Sequence, residues 1–236
     1  MYIAVMCDLC YIIAMKFQEL LALVGDEPVF DSALLLAGDV QRQAIQRQLA
    51  RWAHDGRLHQ MRRGLYGLAA PYRHVTPHPF LVANRMVKAS YVSCQSALAW
   101  YGLIPEYTPV TLSVTTLRPG AWETAFGRFI FRHVQVDLLF GYVLVEVAQG
   151  QQAFVAQPEK ALVDLIYLTP AGDDDAFLRE LRLQNLDRLD PQQARDLAER
   201  TGSAKVRRAI TRLTTMAQEQ EQEFESISSE NTTRQS

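Results

Sequence analysis

Apolar residues along this chain switch between two spacings, and the switches mark out its elements. Phe17, Leu20, Leu21 and Val24 stand at helical spacing in FQELLALV, and Gly25 follows, so a first helix is predicted over 16–24. VFDSALLLAG, residues 29–38, predicts a second short helix stopped by Gly38. A third helix is expected from Asp39, as its N-cap, through His54, with Asp55-Gly56 closing it. The spacing then changes. Leu58 to Met61 and Leu65 to Ala69 read as two short strands joined by Arg62-Arg63-Gly64, where Gly64 supplies the positive φ of a tight hairpin. Helix, helix, helix, hairpin over residues 15–70 is the layout of a winged helix-turn-helix, whose third helix enters the major groove.

Pro71, Pro77 and Pro79 crowd the next stretch, so 71–89 reads as a linker and its His74 and His78 as loop residues. A second domain is expected over 90–222. It opens with a helix in SYVSCQSALAWYG, residues 90–102. Strand-like runs follow at 108–116, 127–134, 141–147 and 151–157. Pro158 suits the first turn of a helix in PEKALVDLIYL. From Asp173 onward the pattern is helical, and the polar end, 223–236, reads as a disordered tail. The expected fold class is α+β: an N-terminal winged helix-turn-helix, then a mixed α/β domain with a helical C-terminal portion.

The chain has 236 residues, 48% hydrophobic and 21% charged, the composition of a globular protein with room for two domains. Its net charge of -2 is unevenly spread. Residues 38–75 hold seven arginines against two aspartates, whereas residues 1–37 hold one lysine against five acids. The basic block coincides with the third helix and the hairpin, the footprint of a module that meets phosphates. Three cysteines, an odd number, argue against a disulfide framework, and a reducing cytoplasm is the expected compartment. Cys7 and Cys10 form a CxxC with no second pair, too few ligands for zinc, and no metal or cofactor is expected. The apolar first 14 residues lack a basic flank and are too short to span a bilayer. Met15 opens an ordinary chain start, which makes them either an N-terminal extension or an upstream start-codon artefact. No membrane partner is expected.

Within VQRQAIQRQLARW, residues 40–52, 100° per residue places Gln41, Ile45, Gln48, Leu49 and Trp52 on a buried stripe. Gln43, Gln46, Arg47, Ala50 and His54 face the other way. Gln matches adenine and Arg matches guanine through paired hydrogen bonds, so Gln43, Gln46 and Arg47 suit a major groove. Arg42 and Arg51 flank them for phosphates, and Arg57, Arg62 and Arg63 add charge at the hairpin. The bland alternative is a solvated helix face built from good helix formers. A second basic surface is expected on KVRRAITRL, where Lys205, Arg207, Arg208 and Arg212 face solvent or a partner. Glu159 and Asp164 invite an acid-base reading, but the spacing suggests a solvated face on which Lys160 pairs with Asp164 at i, i+4. Asp173-Asp174-Asp175 reads as helix cap and first-turn charge. His133 shows no partner. Gly-rich phosphate loops and hydrolase motifs are lacking, so the chain reads as a non-enzyme.

Four blocks carry a resemblance: RGLYGLA, YVSCQSALAWYGLIPEYTPVTLSVTT, AFGRFIFRHV and FVAQPEKALVDLIYL. From about Met15 to about Pro170 the chain resembles the AbiEi-type antitoxins of bacterial type IV toxin-antitoxin systems. The resemblance implies a winged helix that binds double-stranded DNA at the promoter of its own operon and represses it. It also implies a C-terminal antitoxin domain that counteracts a cognate nucleotidyltransferase-like toxin without requiring a stable complex. Two other readings compete: a winged-helix regulator of another operon with a ligand-sensing C-terminal domain, and a nuclease or nucleotidyltransferase using its Asp and Glu residues.

Overall fold

The computed structural model describes residues 15–36, 41–105 and 109–216. Its fold is α+β, with two sheets among the described residues. The first module holds α1 (Phe17–Val24), β1 (Phe30–Asp31), α2 (Arg42–His54), β2 (Leu58–Arg62) and β3 (Leu65–Leu68). The helix expected over 29–38 is instead the short strand β1 followed by a 3-10 turn, Ser32–Leu36. Pairing explains the difference. Phe30 and Asp31 lie antiparallel to Tyr66 and Leu65, and this strand turns the hairpin into a sheet of order β1-β3-β2. The expected cap at Asp39 falls outside the described residues, as do the CxxC at Cys7 and Cys10 and the tail.

The hairpin turns at Arg63-Gly64, with Gly64 at φ 86° and its carbonyl accepting from the Ser32 N–H at 2.7 Å. A bulge between Gln60 and Arg62 adds a residue to β2. All four residues of β3 are buried, since both of its faces are covered. Tyr66 and Leu68, with Leu58 of β2, join Leu20, Val24, Phe30, Leu35, Ile45, Leu49 and Trp52 in the small core. Leu65 and Met61 join the larger core instead.

Residues 79–86, within the expected linker, form helix α3 (Pro79–Met86). Proline is tolerated at the first helical position, where its missing N–H would have had no partner. The His78 ring caps this helix, its Nδ1 accepting from the Phe80 N–H at 3.2 Å. Val82, Ala83 and Met86 are fully buried against the main sheet.

The main sheet contains β4 (Ser90–Val92), β5 (Val110–Thr115), β6 (Gly120–Thr124), β7 (Gly127–His133), β8 (Tyr142–Ala148) and β9 (Gln151–Ala156), in the order β6-β7-β5-β4-β9-β8. β7 runs parallel to β5 and β4 parallel to β9, while the other neighbours are antiparallel. The helix expected over 90–102 is split. Ser90–Val92 is an interior strand, and α4 (Cys94–Trp100) begins only after a sharp turn that puts Cys94 at φ 54°. β6 was not foreseen either; Trp122 folds back over Gly120, where an added β-carbon would stand 2.6 Å from its ring. Helices α5 (Pro158–Leu168), α6 (Asp175–Glu180), α7 (Pro191–Arg200) and α8 (204–216) complete the domain. No described helix is long and apolar enough to cross a membrane.

Candidate nucleic-acid interface

α2 presents two chemically distinct sides. Ile45, Leu49 and Trp52 are almost wholly buried, and each contributes about 1.5 to 3 kcal/mol of apolar burial to holding the helix on the small core. Gln48 is half-buried and donates its amide to the Met15 carbonyl at 2.7 Å. Gln41, expected on the buried stripe, is exposed, because it is the N-cap residue and already lies outside the helical repeat. On the opposite side Arg42, Gln43, Gln46, Arg47 and Arg51 are all exposed, with Ala50 and His54. Arg47 Nε approaches the Gln43 carbonyl at 3.4 Å one turn earlier. Arg42, Arg47, Arg51 and Arg63 form no ion pair with any described residue.

The three arginines at and near the hairpin differ from one another. Arg63 occupies the turn and is exposed. Arg62 is half-buried, and its Nε has no hydrogen-bond partner. Arg57 lays its guanidinium over the Phe17 ring, 5.2 Å from the centroid, so it braces α1 against the end of α2.

The hairpin is also the joint between the modules. His59 meets the Phe126 ring edge-on at 5.6 Å, and Arg73 stacks on that ring at 5.4 Å. On the neighbouring loop His74 pairs with Asp26 at 3.1 Å.

The C-terminal basic residues are engaged within the chain. Lys205 Nζ donates to the carbonyls of Tyr167 and Thr169 at 2.9 and 2.7 Å, closing the end of α5. Arg208 Nη2 meets Asp173 at 2.6 Å, Arg212 Nη1 meets Asp175 at 2.9 Å, and Arg207 lies 3.7 Å from Glu199. The Arg208 hydrogen bonds hold the Asp173 carboxyl below its usual range. Asp174 caps α6 through the Ala176 N–H. The three aspartates thus divide between one cap and two ion pairs. His133 has a partner, its Nδ1 lying 3.1 Å from the Leu117 carbonyl.

α5 overturns one expectation. Glu159, Lys160 and Asp164 are buried, not solvated, because α5 is covered on nearly every side by β9, α4 and α7. Asp164 accepts from the Tyr91 and Ser93 hydroxyls at 2.9 and 2.8 Å and from Lys160 Nζ. Burial pushes the Asp164 carboxyl up, against the pull of Lys160 and the two hydroxyls. Burial, and then the Asp164 charge, raise the Tyr91 phenol. Lys160 also lies over the Phe140 ring at 4.7 Å, and Glu159 accepts from the Asp190 N–H at 2.8 Å. Each carboxylate therefore ties elements together. The signal was present in PEKALVDLIYL: a helix apolar around most of its circumference is a buried one, and its few polar residues then require partners.

No protein-family model matches the chain, and no curated protein matches it. Among the described residues no three His, Cys, Asp or Glu side chains converge as a metal site. On the first module, Arg42, Arg47 and Arg51 on the outer face of α2 and Arg63 at the hairpin turn are exposed and without an ion-pair partner among the described residues.

Proposed function

We propose that this chain is a DNA-binding antitoxin of the AbiEi type, a repressor of its own operon that uses its first module as a winged helix. The observation that carries the DNA half is the exposed row Arg42, Gln43, Gln46, Arg47 and Arg51, whose guanidinium groups have no acidic partner among the described residues. Gln and Arg read base edges through paired hydrogen bonds, and flanking arginines hold phosphates. Arg63 at the hairpin turn supplies a further phosphate contact. The resemblance of the sequence blocks to AbiEi antitoxins supports the second half, in which residues 90–222 counteract a nucleotidyltransferase-like toxin.

A gel shift on the DNA upstream of the gene tests repression. Binding at low salt, lost in Arg47→Ala combined with Arg63→Ala, is expected; no binding, or binding unaffected by the double variant, overturns it. Co-expression tests the antitoxin half. A neighbouring gene whose product arrests growth should be neutralised by this protein, and repression without rescue would point instead to a regulator of another operon.

A further inference from the structure

A cleft of about 600 Å³ opens between the start of α3, the end of α4 and the β6–β7 turn. Its walls are aromatic. The rings of His78, Phe80 and Trp100 pack together with centroids 5.0 to 5.9 Å apart, and Phe126 lines the cleft with them. Burial lowers the pKa of His78, and its Nδ1 is already an acceptor for the Phe80 N–H, so this ring is a neutral wall at neutral pH. The permanent charge in the lining is Arg128, which is exposed and forms no ion pair with a described residue. Two hydroxyls line the cleft. That of Ser96 is engaged by the Val110 carbonyl and the Leu112 N–H, which leaves Thr111 available.

Flat aromatic walls favour a planar ring, one guanidinium favours one anionic group, and the volume is that of a small-molecule site. We propose that this cleft binds a small planar aromatic ligand carrying a single phosphate or carboxylate, and that the hairpin senses its occupancy through Phe126. The ring that lines the cleft is the same one that packs on His59, Gly67 and Arg73. A ligand stacked in the cleft would hold it against the hairpin.

Titration calorimetry on the full chain, without DNA, tests the site independently of any DNA-binding role. Adenosine monophosphate probes the phosphate form, indole-3-acetate the carboxylate form, and inorganic phosphate controls for a bare ion. One organic probe is expected to bind in the micromolar to submillimolar range, and which one binds identifies the anion. Arg128→Ala, which removes an exposed side chain, should weaken it about tenfold at an unchanged melting temperature. Trp100→Ala should weaken it as well, its binding compared at a temperature where the variant is fully folded because the ring also packs on His78 and Phe80. Failure of both organic probes overturns the site, as does equal binding of inorganic phosphate or undiminished binding by both variants. Amide exchange over residues 58–68 should slow on binding in the wild type but not in Phe126→Leu; unchanged exchange in the wild type overturns the coupling.

Discussion

A β-carbon at Gly67 would stand 3.0 Å from Cε2 and Cζ of the Phe126 ring, so the two modules meet where a hairpin strand has no side chain. Gly67 does not sit at positive φ, so the constraint there is space and not backbone conformation. Gly67→Ala should cost about 1 to 3 kcal/mol through overpacking. Phe126→Leu, which shortens the opposing side chain, should recover part of that loss in the double variant. Urea denaturation of the two single variants and the double variant measures the coupling, and strictly additive effects would show that the two residues do not bear on each other.

The exposed arginines of α2 lead to a salt dependence. If Arg42 and Arg51 meet phosphates, each replacement by Ala should flatten the slope of log K against log salt by about 0.9. Gln46→Ala should leave the slope unchanged while relaxing sequence preference, since a base contact releases no counterion. Fluorescence anisotropy over a salt series, on the upstream DNA and on a scrambled duplex, separates the two effects; equal slopes in all variants would remove Arg42 and Arg51 from the interface.

Breaking the buried pair should be more damaging than replacing it. Asp164→Ala leaves the Lys160 ammonium buried without its carboxylate and two hydroxyls without their acceptor, a loss of about 3 to 5 kcal/mol. Lys160→Met combined with Asp164→Leu should be less damaging than Asp164→Ala, because it removes both charges at similar volume and leaves only the Tyr91 and Ser93 hydroxyls without an acceptor. The unfolding midpoints of the single and double variants decide this, and a double variant weaker than Asp164→Ala would contradict it.

His78 should make stability fall on acidification. Its folded pKa lies below the ordinary 6.5, so between the two values the unfolded chain binds the additional proton. The contribution is complete above pH 6.5 and is lost as pH drops through that value toward the folded pKa. Protonation at Nδ1 also removes the acceptor for the Phe80 N–H. His78→Asn can still cap α3 but does not titrate, so from about pH 8 to about pH 5 it should lose less stability than the wild type. Parallel curves for the two proteins would rule out this linkage.

Periodicity alone determined the two sides of α2. Ile45, Leu49 and Trp52 fall inside because 100° per residue aligns them, and Arg47 and Gln46 fall outside for the same reason. The hairpin was legible from Gly64, and four strands and α5 from alternation and from Pro158. These are local properties, set by a few neighbouring residues. Tertiary structure decided the rest. Ser90–Val92 is a strand because β5 and β9 flank it, and three residues are too few to show alternation. Phe30 and Asp31 extend because β3 offers an edge, overriding an apolar run that reads as helix. Lys160 and Asp164 carry the same i, i+4 spacing whether solvated or buried. Only the elements packed around α5 exclude water from them, turning an ordinary surface pair into a charge held by Tyr91 and Ser93. Spacing specifies which side chains share a face, whereas burial depends on what distant parts of the chain bring to that face.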